Sequence, residues 1–435
     1  MQNKVQSSNA NIVNVLIINT SEKIGGAAVA ARRLMEALNK NGVEAKMLVR
    51  DKESNSQTVY GLPSSWRLQW HFLRERLIIW IRLHLKREHL FEIDIANSGT
   101  DITKLSVFKE ADIIHLHWVN QGMLSLNIIH KILKTGKPVV WTMHDAWPFT
   151  GICHLTMGCK HFKTSCKNCK YLPGGGREND LASKVWKKKK DILKHHGIFF
   201  VVCSKWLEGE AKQSALLDGQ NIICIPNPID TKVFKCHDKE EAKKTLGLPL
   251  DKKLILFVSQ RVTNANKGMN YLVEACRLLA EEHPEIKEQC AVVMLGGHAE
   301  EMEGKLTFQT FPLSYITDER KIVEVYNAVD VFVLPSLSEN LPNTIMEAMA
   351  CGVPCVGFKT GGIPEMIEHQ QNGYVANYKD ANDLSAGIYW TLYEANQAQL
   401  RENALHKVTT SYSQSSVSAK YREVYAQALE RTRKK

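Results

Sequence analysis

The sequence predicts an α/β protein of two domains, each a parallel sheet covered by helices. Short apolar runs alternate with helical segments along nearly the whole chain, the rhythm of parallel strands joined by crossovers. The 435 residues suffice for two domains of ordinary size. Ile225-Pro226-Asn227-Pro228-Ile229-Asp230 carries two prolines and an Asn-Pro turn. It marks a boundary between residues 1–224 and residues 225–410.

Val13-Asn14-Val15-Leu16-Ile17-Ile18 reads as the first strand. Gly25-Gly26-Ala27-Ala28 then opens a helix, Val29 to Asn39, with Leu34 and Leu38 on one face. A glycine pair between a first strand and a first helix permits close approach of phosphate. It equally suits a tight turn under a small-residue helix. Asp112 to Trp118 and Lys137 to Asp145 read as further strands, bearing His115, His117 and His144 near their ends. Ligands of such sheets bind at the carboxyl ends of strands, which favours His144. For His115 and His117, structural hydrogen bonding is as good a reading as a direct role. Asp145 is placed to orient His144 or an acceptor hydroxyl.

Trp66 to Glu88 mixes Trp66, Trp70, Leu73, Leu77, Trp80 and Ile81 with six basic residues. That pattern fits an amphipathic helix on an anionic membrane, or one that packs its aromatic face inward. Lys184 to Lys194 reads as a second basic helix with a solvated face. Between these lie Cys153, Cys159, Cys166 and Cys169, within a loop at 151–176 that holds Pro173-Gly174-Gly175-Gly176. Four thiolates can close a tetrahedral structural zinc site, stabilising a loop with little core of its own. Reduced unligated thiols and a redox pair are the alternatives. Phe199 to Ser204 reads as the last strand of the first domain.

In the second domain Leu254 to Ser259 and Val331 to Leu334 read as strands. Arg261 and Lys267-Gly268 follow the first of these, before a helix from Tyr271 to Glu281. Arginine forks onto phosphate oxygens and lysine supplies a point charge. After Val331 to Leu334 comes Ser338-Glu339-Asn340-Leu341-Pro342-Asn343-Thr344-Ile345-Met346-Glu347. Asn343 or Thr344 can cap the next helix and Gly352 can close it. Glu339 then lies in the loop and Glu347 in the first turn, both able to face one crevice. Thr344-x-x-Glu347 is also a capping box that needs no ligand. Ser411 to Leu429 reads as a terminal helix.

The formal charge is +10, which favours anionic partners without choosing among them. No recognised nucleic-acid module accompanies it, so no nucleic-acid partner is expected. The chain has no signal-peptide layout and no apolar run of about 18 residues. Eleven cysteines then point to a reducing compartment. The expected location is cytoplasmic, peripheral on the inner face of the membrane.

From about Asn14 to about Tyr425 the motifs resemble those of the retaining GT-B glycosyltransferases of group 1 (family 4). They are Arg261, Lys267-Gly268, the glutamate pair, Gly361-Gly362-Ile363-Pro364-Glu365 and the strand ending in His144. The cysteine cluster after His144-Asp145-x-Trp147-Pro148-Phe149-Thr150-Gly151 resembles the surface-polysaccharide (colanic-acid or capsule) branch. The resemblance implies two Rossmann-like domains facing across a cleft, with the terminal segment 411–435 packed back on the first. It implies transfer of a sugar from a nucleoside diphosphate sugar to a glycan acceptor, itself polyprenyl-diphosphate-linked. Arg261 and Lys267 would clamp the diphosphate, with Gly25, Gly26, Asn343 and Thr344 beside it. Glu347 would bind the ribose, and His144 and Glu339 would lie at the transferred sugar. No Asp-x-Asp occurs, so no cofactor is expected for transfer. Two departures stand out: Ser259 replaces a glycine, and Asn340-Leu341-Pro342-Asn343 replaces a glycine-rich stretch. A nucleotide-sugar epimerase of the same fold and an inactive membrane-docked scaffold are the alternatives.

Overall fold

The computed structural model describes residues 13–63, 66–194 and 196–434. Two all-parallel sheets organise them. The first contains β1 (Asn14–Ser21), β2 (Glu44–Asp51), β3 (Val59–Gly61), β4 (Ile113–Leu116), β5 (Val139–Met143), β6 (Phe199–Val202) and β7 (Asn221–Cys224). Their spatial order is β3-β2-β1-β4-β5-β6-β7. The second contains β8 (Lys253–Arg261), β9 (Cys290–Gly297), β10 (Gln309–Leu313), β11 (Val331–Leu334), β12 (Cys355–Phe358) and β13 (Gly373–Ala376). Their order is β10-β9-β8-β11-β12-β13. Each order reverses once, between β1 and β4 and between β8 and β11. A crevice at the strand ends follows from each reversal. β7 follows the strand read as the last of the first sheet, and extends it.

Eight helices carry the argument below. They are α1 (Gly26–Lys40), α2 (Trp66–Arg82), α3 (Leu181–Leu193), α4 (Lys205–Lys212), α5 (Met269–Glu282), α6 (Asn343–Ala350), α7 (Gln397–Ser411) and α8 (Gln414–Arg433). Strands such as Val15 to Ile18 are buried on both faces, so they read as unbroken apolar runs. On one face of the first sheet, Val15 and Ile17 pack with Leu34 and Leu38 of α1 and with Val417, Tyr421 and Tyr425 of α8. The last helix of the chain therefore completes the core of the first sheet.

Besides α6, described with the site, three helices differ from their sequence readings. The terminal one is broken: Ser411 ends α7, and Ser413 caps α8 by accepting from the Ser416 amide at 3.4 Å. α2 stops at Arg82 instead of reaching Glu88, because His84 and Leu85 turn to left-handed φ values of 55° and 64°. Its inner face mixes apolar Ile79, packed in the core, with two charged residues. Glu75 accepts from the amides of Ile95, Ala96 and Gly122, while Arg76 pairs with Asp94. α3 does expose most of its lysines, but Lys189 is buried. Its Nζ donates to the carbonyls of Trp147 (2.6 Å) and Thr150 (3.1 Å) and lies 3.5 Å from the Trp147 ring. Burial pushes its pKa down to about 7.

Candidate active site

A cavity of about 450 Å³ opens between the two sheets, lined from both. Gly25, Gly26, His144, Lys267, Glu339, Asn343, Thr344 and Glu347 all line it. Arg261 does not. It ends β8, exposed, with Nε donating to Thr263 Oγ1 at 3.1 Å.

The second domain's wall is set by backbone pressed on backbone. Gly268 has φ 73°, and a Cβ there would stand 1.8 Å from the Pro335 carbonyl oxygen. Gly361 has φ 55°, and a Cβ there would stand 1.6 Å from that of Glu339. Only glycine fits either approach. The first fixes the residue after Lys267, the second the peptide of Glu339. The two side chains then meet as an ion pair, and Glu339 Oε1 also accepts from Ser336 Oγ at 3.1 Å.

α6 begins differently from its sequence reading. Pro342 occupies the cap position, and neither Asn343 nor Thr344 caps the helix. Asn343 instead donates to the Gly26 carbonyl across the cleft (3.0 Å) and accepts from Asn227 Nδ2 (3.1 Å). The contact brings the N-termini of α1 and α6 together, two positive dipole ends at one cavity. The capping box does not form either. Glu347 lies in the second turn, with Oε1 2.8 Å from Arg33 of α1 and Oε2 accepting from Tyr326 OH at 3.0 Å. Burial pushes the Glu347 pKa up, and the Arg33 guanidinium opposes that.

Behind the first domain's wall lies a histidine cluster, of which His144 lines the cavity. His115 binds Tyr425 OH through Nδ1 and Thr142 Oγ1 through Nε2, both at 2.8 Å. His117 Nδ1 lies 2.9 Å from His144 Nε2, so one of these two nitrogens carries the shared hydrogen. Burial pushes His115 down to about 3 and His144 to about 4, and holds His117 well below the ordinary histidine value. All three are neutral near pH 7. His144 thus stands at the cavity as an uncharged imidazole, with Nε2 towards His117 and Nδ1 3.7 Å from Cys203 Sγ. Asp145 does not orient it. Its oxygens accept from Trp118 Nε1 (2.8 Å) and the Trp147 amide (2.9 Å), and face His154 Nδ1 (2.7 Å). His154 in turn reaches Asp94 at 2.6 Å. Burial alone would raise the Asp145 pKa, but His154 and these donors hold it below the usual carboxylate value.

Several residues at the site carry no sequence signal. Asn340 donates to the His144 carbonyl at 3.1 Å and accepts from Ser204 Oγ at 2.6 Å. Glu365 accepts from the amides of Lys205 and Trp206, both at 2.7 Å, and so caps α4 from the other domain. Arg33 looks in sequence like any solvated helix arginine, yet its side chain is 4% exposed. Glu365 was legible only as part of a glycine motif, Asn340 only as part of a departure from a glycine-rich stretch, and Arg33 not at all.

Cys153, Cys159, Cys166 and Cys169 line a separate cavity of about 20 Å³ together with His161. Burial raises the thiol of Cys153 to about 11 and those of Cys166 and Cys169 to about 12. The donor set is that of a structural zinc site. Among the described residues, however, no three His, Cys, Asp or Glu side chains are arranged to hold an ion.

Residues 24–233 match the family model described as Glycosyltransferase Family 4, and residues 238–407 that described as Glycosyl transferases group 1. One curated relative is the N,N'-diacetylbacillosaminyl-diphospho-undecaprenol alpha-1,3-N-acetylgalactosaminyltransferase of Campylobacter jejuni. It is 28% identical over 218 residues, covering 48% of this chain and 56% of that protein. The chain spans about half the length of the first curated relatives it matches. Among solved structures, sucrose-phosphate synthase from Thermosynechococcus elongatus superposes with TM-score 0.67 at 19% identity, over 95% of this chain and 98% of the other. Anabaena HepE, solved with UDP and glucose, superposes with TM-score 0.62 at 16% identity, over 95% and 100%. Both sheets, the cleft between them and matches across 24–233 and 238–407 lead to one conclusion: the chain belongs to the group 1 glycosyltransferases, with the two-domain GT-B fold.

Proposed function

We propose that the protein is a retaining glycosyltransferase moving a sugar from a nucleoside diphosphate sugar to a glycan acceptor. One observation carries the reading: a lysine, two helix N-termini and a neutral histidine converge on a single cavity between the sheets. A departing diphosphate is anionic, and Lys267 with the ends of α1 and α6 supplies positive potential where that charge develops. Glu347, held by Arg33 and Tyr326, accepts from ribose hydroxyls. His144 bonds a hydroxyl of the transferred sugar without adding charge, through Nδ1 once that nitrogen turns from Cys203 Sγ. Arg261, which lies outside the cavity lining and bonds Thr263, joins the diphosphate only by turning from that partner. The bond from the anomeric carbon to the phosphate oxygen breaks and one to the acceptor oxygen forms on the same face. The acceptor's hydroxyl proton leaves with the diphosphate. Hexosyl transfer on this route needs no divalent cation.

The acceptor in this reading is a polyprenyl-diphosphate-linked saccharide for a surface polysaccharide, met at the cytoplasmic face of an anionic membrane. The name of the Campylobacter relative includes such a lipid-linked substrate. No described helix is long and apolar enough to cross a membrane. A structural zinc on Cys153, Cys159, Cys166 and Cys169 is a separate proposal, resting on the donor set. Metal analysis of protein purified without chelator checks it, zinc equimolar with protein being the expected result.

The test of function is a panel of UDP-, GDP- and ADP-sugars incubated with EDTA, with and without a lipid-linked glycan extract. Nucleoside diphosphate release from one donor, raised by the extract and lost in Lys267→Ala, is the expected result. Interconversion of the donor without an acceptor would mean an epimerase. Binding of no nucleotide by folded protein would mean a scaffold.

A further inference from the structure

α2 carries apolar side chains on its outer face as well as its inner one. Trp66, Trp70, Leu73, Leu77 and Ile81 recur at steps of four and three, which places them on one face. That face is the outer one: they are 72%, 51%, 55%, 49% and 54% exposed. A helix serving only its own fold would not need a second apolar stripe, yet here the inner face is already filled by Glu75, Arg76 and Ile79, with Leu68 and Ile78 packed on the core. Arg67, Arg74 and Arg82 stand exposed on the same helix. Beyond it, Leu85 and Phe91 continue the apolar exposure at 58% and 61%. Apolar side chains with tryptophan among arginines match the interface of an anionic bilayer and no ordinary aqueous surface.

At the end of this stripe lies a cavity of about 620 Å³, sharing no lining residue with the cleft. One side is the turn after α2, with His84, Lys86 and His89, and the other is the glycine loop, with Lys170 and Arg177. Glu88 is the one acid in its lining. Lys170 is committed to the Met157 carbonyl at 2.6 Å, and His89 to Glu92 at 2.6 Å. Among the described residues neither Lys86 nor Arg177 has a side-chain partner. The backbone is also unusual here. His84, Leu85 and His89 hold φ values of 55°, 64° and 62°, left-handed positions that non-glycine residues seldom take. Backbone held this way concentrates at ligand sites. Gly174 and Gly175 face open space, so their main chain lies bare at the cavity.

We infer that this cavity takes the phosphate of an anionic phospholipid headgroup when α2 lies on the membrane surface, with Lys86 and Arg177 as its cationic ligands. This deepens the membrane-facing part of the proposed function and rests on that part alone. Arginine offers a fork to phosphate oxygens and lysine a point charge. The apolar stripe holds the helix at the depth where headgroups lie.

The test is cosedimentation of the full chain, without donor, with vesicles of phosphatidylcholine alone or mixed with phosphatidylglycerol. Wild type is expected on the mixed vesicles only. Lys86→Glu/Arg177→Glu is expected to weaken that binding about tenfold or more. Lys305→Glu/Lys321→Glu, an equal charge change on exposed residues of the second domain, is expected to weaken it far less. Equal loss in the two double variants would overturn the site, leaving net charge as the cause. So would loss in Trp70→Ser/Leu77→Ser with none in the cavity variant. Recruitment to neither vesicle type by folded wild type would overturn it as well. Calorimetric binding of inorganic phosphate without vesicle recruitment would reassign the site to a free anion. Nucleoside diphosphate release in solution, measured alongside, tests the transferase reading separately, since neither cavity residue lines the cleft.

Discussion

The histidine cluster of the first domain and the Lys267–Glu339 pair of the second act on the cleft by opposite electrical means. The second domain brings charge: Lys267 and Glu339 stand paired on loops gripped by glycines. The first sheet brings uncharged imidazole, three histidines desolvated until they cannot protonate near pH 7. The first domain also brings charge: Lys23 and Asp145 line the cavity, Asp145 facing His154, while Arg33 is spent on Glu347 and Glu319 of the second domain. The contrast teaches that the pair acts through local charge held by short loops, the cluster through neutrality imposed by distant packing.

The comparison breaks most easily at Arg33. Arg33→Met leaves Glu347 buried without its cation, and a loss of about 3–5 kcal/mol is expected in urea denaturation. Adding Glu347→Gln should return part of that loss. If Arg33→Met alone costs under about 1 kcal/mol, the pair is exposed in solution and the domains are not closed this way. The next effect concerns rate. Lys267→Ala should lower donor turnover about 10²-fold or more, as removing one charge-stabilising donor does elsewhere. Unchanged turnover would place the diphosphate away from Lys267.

The histidine cluster predicts a pH effect whose sign is fixed. The folded-state values of His115 and His144, about 3 and about 4, lie below the ordinary value of about 6.5. Below pH 6.5 the unfolded chain therefore takes up protons that the native state refuses. Stability is complete above pH 6.5 and falls as pH drops toward 4, by up to about 1.4 kcal/mol per pH unit for each histidine. Denaturation at pH 7.5, 6 and 5 measures the slope, and His115→Gln should flatten it. A flat profile would mean that the imidazoles are hydrated. The smallest effect is expected at Asn340, whose amide ties the His144 carbonyl to Ser204. Asn340→Ala should cost about 1 kcal/mol in the same assay, with donor turnover changed less than in Lys267→Ala.

The same contrast explains what was legible in the sequence. The parallel strands were legible because their apolar runs are unbroken, and the GT-B fold followed from motifs in order along the chain. Glu339, Lys267 and the glycines around them sit on loops where spacing carries the signal. The histidine cluster could be placed at strand ends but not explained, since His115 is held by Tyr425, 310 residues away. Asn343 and Thr344 read as caps because local propensity favours them there, but Pro342 took that position and Asn343 was drawn across to Gly26. The α2 reading left its apolar face undecided, because periodicity gives a stripe and not its direction. Direction came from Glu75 and Arg76, whose partners lie in loops that no pattern announces.

The return of α8 to the first sheet has a mechanical consequence. The chain passes between the domains twice, once near Ile229 and once near Tyr412, and the Ile229 amide donates to the Tyr412 carbonyl at 2.8 Å. Two crossings stitched at one point form a single pivot. Free tumbling of the halves is thereby reduced to rotation about an axis through that stitch, and cleft contacts such as Arg33–Glu347 become the lever arm on which opening must act.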